Sequence, residues 1–347
     1  MILLITAGVL ALLLYMNYIV GLGSIVSQFE KTNLFYYAAA FLTALASIMF
    51  FSLTWRSLLA NLSIKINIRQ ALLFVYAKLF IDSLVPEPAN ITGDLVNAYL
   101  VSKVTGESSG RATAAVIGHK TLGIIITVGN LVAGLILLVS NYYLNRGILI
   151  VILFVLILLA FSLAILYYMS TRPQASRRVV YGLIGILCYI LRGRWDLAKL
   201  QARADELLSA FHEGIQTLTA RPKALIKPAL FSILSWAFDV STIFLVFMAI
   251  GYPVSAAKVL IVYALTGSLQ SMGVSFIGVT EVIISTLYDI LSIPLSVSLT
   301  ATLLTRFITF WFRLLVGYGA FQYVGLKLLL NQDGNKVEQK TVDSKVT

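Results

Sequence analysis

The stretch Val85-Pro86-Glu87-Pro88-Ala89-Asn90-Ile91-Thr92-Gly93-Asp94 interrupts an otherwise apolar region. Before it, residues 71–85 form an apolar run about fifteen residues long. After it, residues 92–104 form a second short, amphipathic run. Neither run can cross a hydrocarbon layer about 30 Å thick, which takes about 20 helical residues. The two prolines stop a helix, because proline lacks the N–H and clashes with the preceding turn. Backbone broken at membrane depth is tolerated only where it is buried in protein or lines a wet cavity. The stretch therefore reads as the tip of a re-entrant hairpin, two half-helices meeting near the midplane. A second stretch has the same form. Residues 259–272 are apolar, Gly273-Val274-Ser275-Phe276-Ile277-Gly278 breaks them, and residues 280–291 follow as another short helix.

Around the hairpins lie longer apolar blocks at residues 2–20, 35–59, 112–139, 148–169, 229–250 and 299–326. The first has no basic lead-in and no small-residue cleavage pattern, so it reads as a retained span. The fold expected is an all-α polytopic membrane protein, with six full spans and two re-entrant hairpins. The composition agrees: 59% of residues are hydrophobic and 12% charged, half the charge of a usual globular domain. A soluble enzyme, a coiled coil, a disordered chain and a secreted disulfide scaffold are excluded. With one cysteine, Cys188, and two histidines, His119 and His212, most metal and triad chemistries lack their ligands.

The net charge of +11 sorts by position. Ten of the 26 Lys and Arg residues fall in residues 170–227, which marks that connection as cytoplasmic. Six spans, with each hairpin returning to its own side, then place Lys65, Arg69, Lys103 and Arg111 inside, with both termini. Only Lys31, Arg146 and Lys258 remain outside. Within the connection, residues 196–219 read as an amphipathic helix lying on the membrane surface or under the bundle.

The two hairpins align at one offset. Tyr76-Ala77 falls on Tyr263-Ala264, Asp94 on Glu281, Thr113-Ala114 on Thr300-Ala301 and His119 on Arg306, each 187 positions on. Eight identities in 52 pairs is little above chance for so biased a composition, so the shared order of features carries the case: short helix, breaker, acidic residue, short helix, span. The expected division is one integral membrane domain. It holds repeat 1 at about 35–139, the connection 170–227, repeat 2 at about 224–326 and a polar tail 327–347. Opposite entry sides make this an inverted repeat, an arrangement that transporters use around a midplane site.

The charges that do not sort to loops are the candidate site. Asp94 and Glu281 each open a second half-helix, where the dipole favours an anion. They either tidy free amides or form a paired site for a cationic group or a coupling proton. Arg306 and Arg313 share the last span. Arg306 either holds a phosphate or pairs with Glu281 or Asp239. Lys120 offers the same choice, while His119 reads as a packed bundle residue. Asn90, Thr92 and Thr280 are caps or pocket lining. Asp82, Glu87 and Asp239 are further acids, and Tyr76 and Tyr263 read as packing. The chain carries no Gly-rich phosphate loop, HExxH, nucleophile elbow or kinase set. No cofactor or catalytic activity is expected.

Pro88-Ala89-Asn90-Ile91-Thr92-Gly93-Asp94-Leu95-Val96 and Ile277-Gly278-Val279-Thr280-Glu281 resemble the Pro-x-x-x-Gly-Glu and Gly-Val-x-Glu elements of a known family. Trp55-Arg56-Ser57-Leu58-Leu59 and Phe211-His212-Glu213-Gly214-Ile215 match its minor landmarks. The family is the flippase-like integral membrane domain of the lysylphosphatidylglycerol synthase group, and the resemblance covers nearly the whole chain. Asp94 stands where the family usually has Glu, and His119 stands where it usually has an acid before a basic residue. The resemblance implies lipid translocation or a supporting role, with membrane lipids as partners. These residues hold no soluble aminoacyl-transfer domain, so lipid aminoacylation is not expected of them. Because the family also occurs fused to glycosyltransferases, it leaves open an accessory role in lipid-linked glycan synthesis, with a glycosyltransferase or a second copy as partner. The residues alone leave open a transporter of a small solute.

Overall fold

A computed structural model of the protein describes residues 14–20, 22–85, 90–141, 146–190, 197–273 and 276–326. Among them the chain is helical, with no strand. After a π-helical turn at Tyr15–Val20, the helices are α1 (Leu22–Glu30), α2 (Leu34–Asn61), α3 (Ile68–Leu84), α4 (Ile91–Thr105), α5 (Ser109–Asn141), α6 (Arg146–Thr171), α7 (Pro173–Ile190), α8 (Leu197–Ala220), α9 (Ile226–Ala249), α10 (Ala256–Ser271) and α11 (Val279–Ile290). The last, α12, runs Leu295–Leu326 and contains a π-helical turn at Phe307–Phe312.

Five helices are long and apolar enough to cross a membrane: α2, α5, α6, α9 and α12. They match the apolar blocks read from the sequence, apart from the first. Most of that block, residues 2–20, lies outside the described residues, as do the tail 327–347 and Glu87. Both short-helix pairs are present: α3 ends at Leu84 and α4 begins at Ile91, and α10 ends at Ser271 and α11 begins at Val279.

Local chemistry sets the helix starts. Asn33 accepts from the amides of Phe35 and Tyr36 to open α2. Asn67 and Gln70 form a reciprocal capping box at α3. The most extensive helix pairing among the described residues joins α2 and α9, along the small buried residues Ala40, Ala44, Ser47 and Ser235. Small side chains let helix backbones approach, and hydroxyls then bond across the seam. Thr43 Oγ1 lies 2.9 Å from Thr242 Oγ1, and the Ser235 hydroxyl donates to the Ser47 carbonyl at 3.0 Å.

The 187-residue spacing reappears in the element boundaries, carrying α3 onto α10, α4 onto α11 and α5 onto α12 to within a residue or two at their starts. The packing crosses between the halves. Asn130 of α5 donates to the Leu260 carbonyl of α10 at 3.0 Å. Its counterpart on α12, Gly317, lies so close to α3 that an added Cβ would sit 2.6 Å from the Tyr76 carbonyl oxygen. Each half thus leans the first helix of its pair on the last helix of the other.

Two readings change in detail. The Trp55-Arg56 pair that ends the block 35–59 has the amphipathic character of a membrane interface, but Trp55 is 1% exposed. The C-terminal end of α2 is covered by α3, α5 and α8, and Trp55 packs there with Leu58, Leu59 and Phe74. Residues 173–190, given no helix from the sequence, form α7. It clamps α8 through Arg177 to Asp205 at 3.0 Å, Tyr181 to Asp205 at 2.6 Å and Ser176 against His212 at 3.1 Å. The hydrogen bond to Asp205 raises the pKa of the half-buried Tyr181 phenol.

The amphipathic helix α8 packs beneath the bundle on α5, through glycines on both sides. A Cβ at Gly110 would meet the Leu207 carbonyl oxygen at 2.2 Å, and one at Gly214 would meet Ala114 Cβ at 2.7 Å. Backbone cannot yield as a flexible side chain can. Gly110→Ala is therefore expected to cost about 1–3 kcal/mol through overpacking, read as a lower Tm of the purified protein. Gly129→Ala in the same helix, where a Cβ meets nothing within 4 Å, should leave Tm unchanged or raise it. Equal Tm values for the two variants would refute the close α5–α8 contact.

Candidate functional site

Between the two broken helix pairs lies a cavity of about 700 Å³, within the range of small-molecule sites. Its wall includes Asn90, Asp94 and Lys78 from the first pair, His119 and Lys120 from α5, Trp236 and Asp239 from α9, and Arg306 and Arg313 from α12.

The charged side chains form two groups, a connected network beside the first pair and two separate ion pairs beside the second. In the first, Lys78 of α3 is 7% exposed and pairs with Asp82 one turn later, and its Nζ lies 3.2 Å from Asp94 Oδ1. Asp94 Oδ2 lies 2.6 Å from Lys120 Nζ. Glycine at 93 makes the junction possible, since a Cβ there would sit 1.9 Å from Asp82 Oδ1. Both acids thus gather at the start of α4, whose free amides and dipole favour negative charge. Asn90 occupies the cap position with φ 48° and makes no side-chain capping bond. His119 packs edge-on against Phe51 at 4.3 Å between ring centres.

In the second group, Glu281 is 2% exposed and both its oxygens are occupied. Oε1 accepts from Arg306 Nε at 2.7 Å, and Oε2 accepts from the Gly278 amide at 2.7 Å, closing the start of α11. The Arg306 guanidinium also stacks on Phe310 at 4.1 Å. Arg313 Nη2 donates to Asp239 Oδ1 at 3.1 Å, and Tyr263 donates to Asp239 Oδ2 at 3.3 Å. The π turn at Phe307–Phe312 lies between the two arginines. Such turns recur at functional sites because they re-aim side chains within a helix. Here Arg306 and Arg313, seven residues apart, reach different acids.

Of the residues picked from the sequence, Asp94, Lys120, Arg306, Arg313 and Asn90 are in the cavity wall. Glu281, Thr92 and Thr280 are not. Glu281 holds Arg306 from behind, and the Thr280 hydroxyl donates to the Phe276 carbonyl at 3.0 Å, within the turn. The sequence reading missed Lys78 and Trp236. A signal existed for Lys78: a lysine in an apolar half-helix four residues before Asp82. Among the described residues, no three His, Cys, Asp or Glu side chains gather as a metal site requires.

The family model for the lysylphosphatidylglycerol synthase TM region matches residues 2–317. The chain belongs to this family. Among relatives of the lysylphosphatidylglycerol synthase TM region, a UPF0104 membrane protein of Methanothermobacter thermautotrophicus is 27% identical over 327 residues, covering 93% of this chain and 95% of its own length. The UPF0104 membrane protein MJ1595 of Methanocaldococcus jannaschii is 24% identical, covering 89% and 90%. PH1989 of Pyrococcus horikoshii, also a UPF0104 membrane protein, is 22% identical, covering 95% and 98%. No solved structure matches the chain. The charged residues of the site fall inside the matched region.

Proposed function

We propose that the protein moves the headgroup of an anionic or polyprenyl-phosphate-linked lipid between the two leaflets of the cell membrane. In this reading it is a multi-pass transporter with six spans. The helix pairs α3–α4 and α10–α11 are re-entrant hairpins of an inverted repeat, and both termini are cytoplasmic. The observation that carries the reading is the cavity between the two broken pairs, lined by Lys78, Asp94, Lys120, Arg306 and Arg313. Charge at membrane depth is costly and marks a substrate or ion path. The crossed packing of the halves, with one spacing throughout, supports alternating access around a central site. The acyl or polyprenyl tails stay in hydrocarbon while the headgroup passes the wet interior.

Reconstituted liposomes test this. Protein-containing vesicles should move fluorescent phosphatidylglycerol or a polyprenyl-phosphate lipid at least tenfold faster than protein-free vesicles, measured by dithionite bleaching of the outer leaflet. Lys120→Met should lower that rate at least tenfold, since Lys120 is the partly exposed cation of the first network. No acceleration with any such lipid would refute the proposal. A cavity this size also accommodates a whole small solute. Uptake of water-soluble compounds into the same vesicles, without lipid movement, would establish that reading in its place.

A further inference from the structure

The two groups differ in what they leave unpaired. In the first, the buried atoms without a hydrogen bond are carboxylate oxygens, Asp82 Oδ1 and Asp94 Oδ2, the latter 2.6 Å from the Lys120 cation. Elsewhere on the wall, the two arginines of the second group and two further residues each carry a buried polar atom with no hydrogen-bond partner among the described residues: Arg306 Nη2, Arg313 Nε, Trp236 Nε1 and Thr266 Oγ1. Indole and guanidinium nitrogens only donate, and the threonine hydroxyl can donate too. Buried donors left unmade cost free energy that a partner would recover.

All four line the same cavity, and three of them lie about Asp239. Trp236 lies one helical turn before it on α9. Asp239 accepts from Arg313 of α12 and from Tyr263 of α10, and Thr266 lies one turn beyond Tyr263. Asp239 and Glu281 hold one edge of each guanidinium and neutralise its charge, leaving Arg306 Nη2 and Arg313 Nε unclaimed. The guanidinium geometry matches a planar or tetrahedral oxyanion.

We infer that Trp236, Thr266, Arg306 and Arg313 form a recognition site for a phosphate or diphosphate oxyanion. The inference deepens the translocation reading by naming the group its substrate carries, and it can hold or fail separately from transport.

Thermal unfolding of the purified full chain in detergent tests it, with inorganic phosphate, inorganic diphosphate, dihexanoyl phosphatidic acid and the phosphate-free dihexanoylglycerol as probes, against chloride at matched ionic strength. At least one phosphate-bearing probe should raise Tm saturably by several degrees, and dihexanoylglycerol should not. A response to inorganic anions locates recognition in the phosphate itself; a response to phosphatidic acid alone locates it in a lipid headgroup. Trp236→Phe and Thr266→Val should weaken the apparent affinity at least tenfold. Each should leave the unliganded Tm unchanged or higher, because each removes an unpaired donor and keeps the shape. The inference fails if no phosphate-bearing probe exceeds chloride, or if both variants keep the full response. A positive result here with no lipid movement in vesicles would refute translocation and keep the site. The reverse would refute the site and keep translocation.

Discussion

Replacing Glu281 by alanine is expected to lower the stability of the purified protein by about 3–5 kcal/mol, the usual cost of breaking a buried ion pair from one side. Glu281 is 2% exposed and Arg306 7% exposed, so neither charge has bulk water to fall back on. Removing the carboxylate strands the Arg306 guanidinium and also frees the Gly278 amide that Oε2 accepts from. The loss should appear as a lower Tm and a smaller folded fraction by size-exclusion chromatography. The double variant Glu281→Leu with Arg306→Met should recover most of that stability, since apolar groups of similar volume replace such pairs at little cost. The double variant would still lack the Arg306 edge that faces the cavity wall, so it should fold and fail to move lipid. If the single and double variants were equally unstable, the pair would not be the reason for the loss.

The second large effect is expected at Lys78. Its ammonium joins Asp82 and Asp94, and all three side chains are buried or nearly so, at 8%, 12% and 10% exposure. Lys78→Met leaves Asp82 without its cation, while Asp94 keeps Lys120. The expected cost is again about 3–5 kcal/mol, and the start of α4 should loosen with it. Adding Asp82→Asn removes the stranded charge and should restore much of the lost Tm, because residues in one network couple strongly. A Lys78→Met protein as stable as the parent would show that the first network contributes nothing to the fold. The two experiments also separate the halves, since the two charge groups share no residue.

Much of the architecture was legible in the chain because its causes are local. A span is a run of apolar residues long enough for the hydrocarbon, and five such runs are helices here. Proline cannot continue a helix, which made the Pro-x-Pro stretch readable as a stop, and glycine tolerates positive φ, as Gly273 and Gly278 show between α10 and α11. The 187-residue spacing was visible as a faint identity and returned as matched element starts. The helix α7 escaped because the arginines around residues 173–190 marked the whole stretch as a polar connection, although its apolar residues share one helical face.

What side chains face could not be read the same way. Asp94 and Glu281 sit at equivalent positions, each opening a second helix. Yet Asp94 joins two lysines at the cavity wall, while Glu281 is turned away and spent on Arg306 and Gly278. The difference comes from neighbours supplied by other helices: α3 and α5 in one case, α12 in the other.

The sequence by itself determined that this is a membrane protein, where its helices start and break, and which charges cannot sit in loops. Hydropathy, proline and glycine act within one turn or one span, so they need no knowledge of the rest of the chain. Only the tertiary structure decided which charges pair, that Trp236 and Thr266 join Arg306 and Arg313 in one wall, and that the π turn between the arginines sends them to different acids. Those outcomes depend on helices from distant parts of the sequence meeting at a few ångströms, where a buried donor or charge is stable only if the packing brings it a partner.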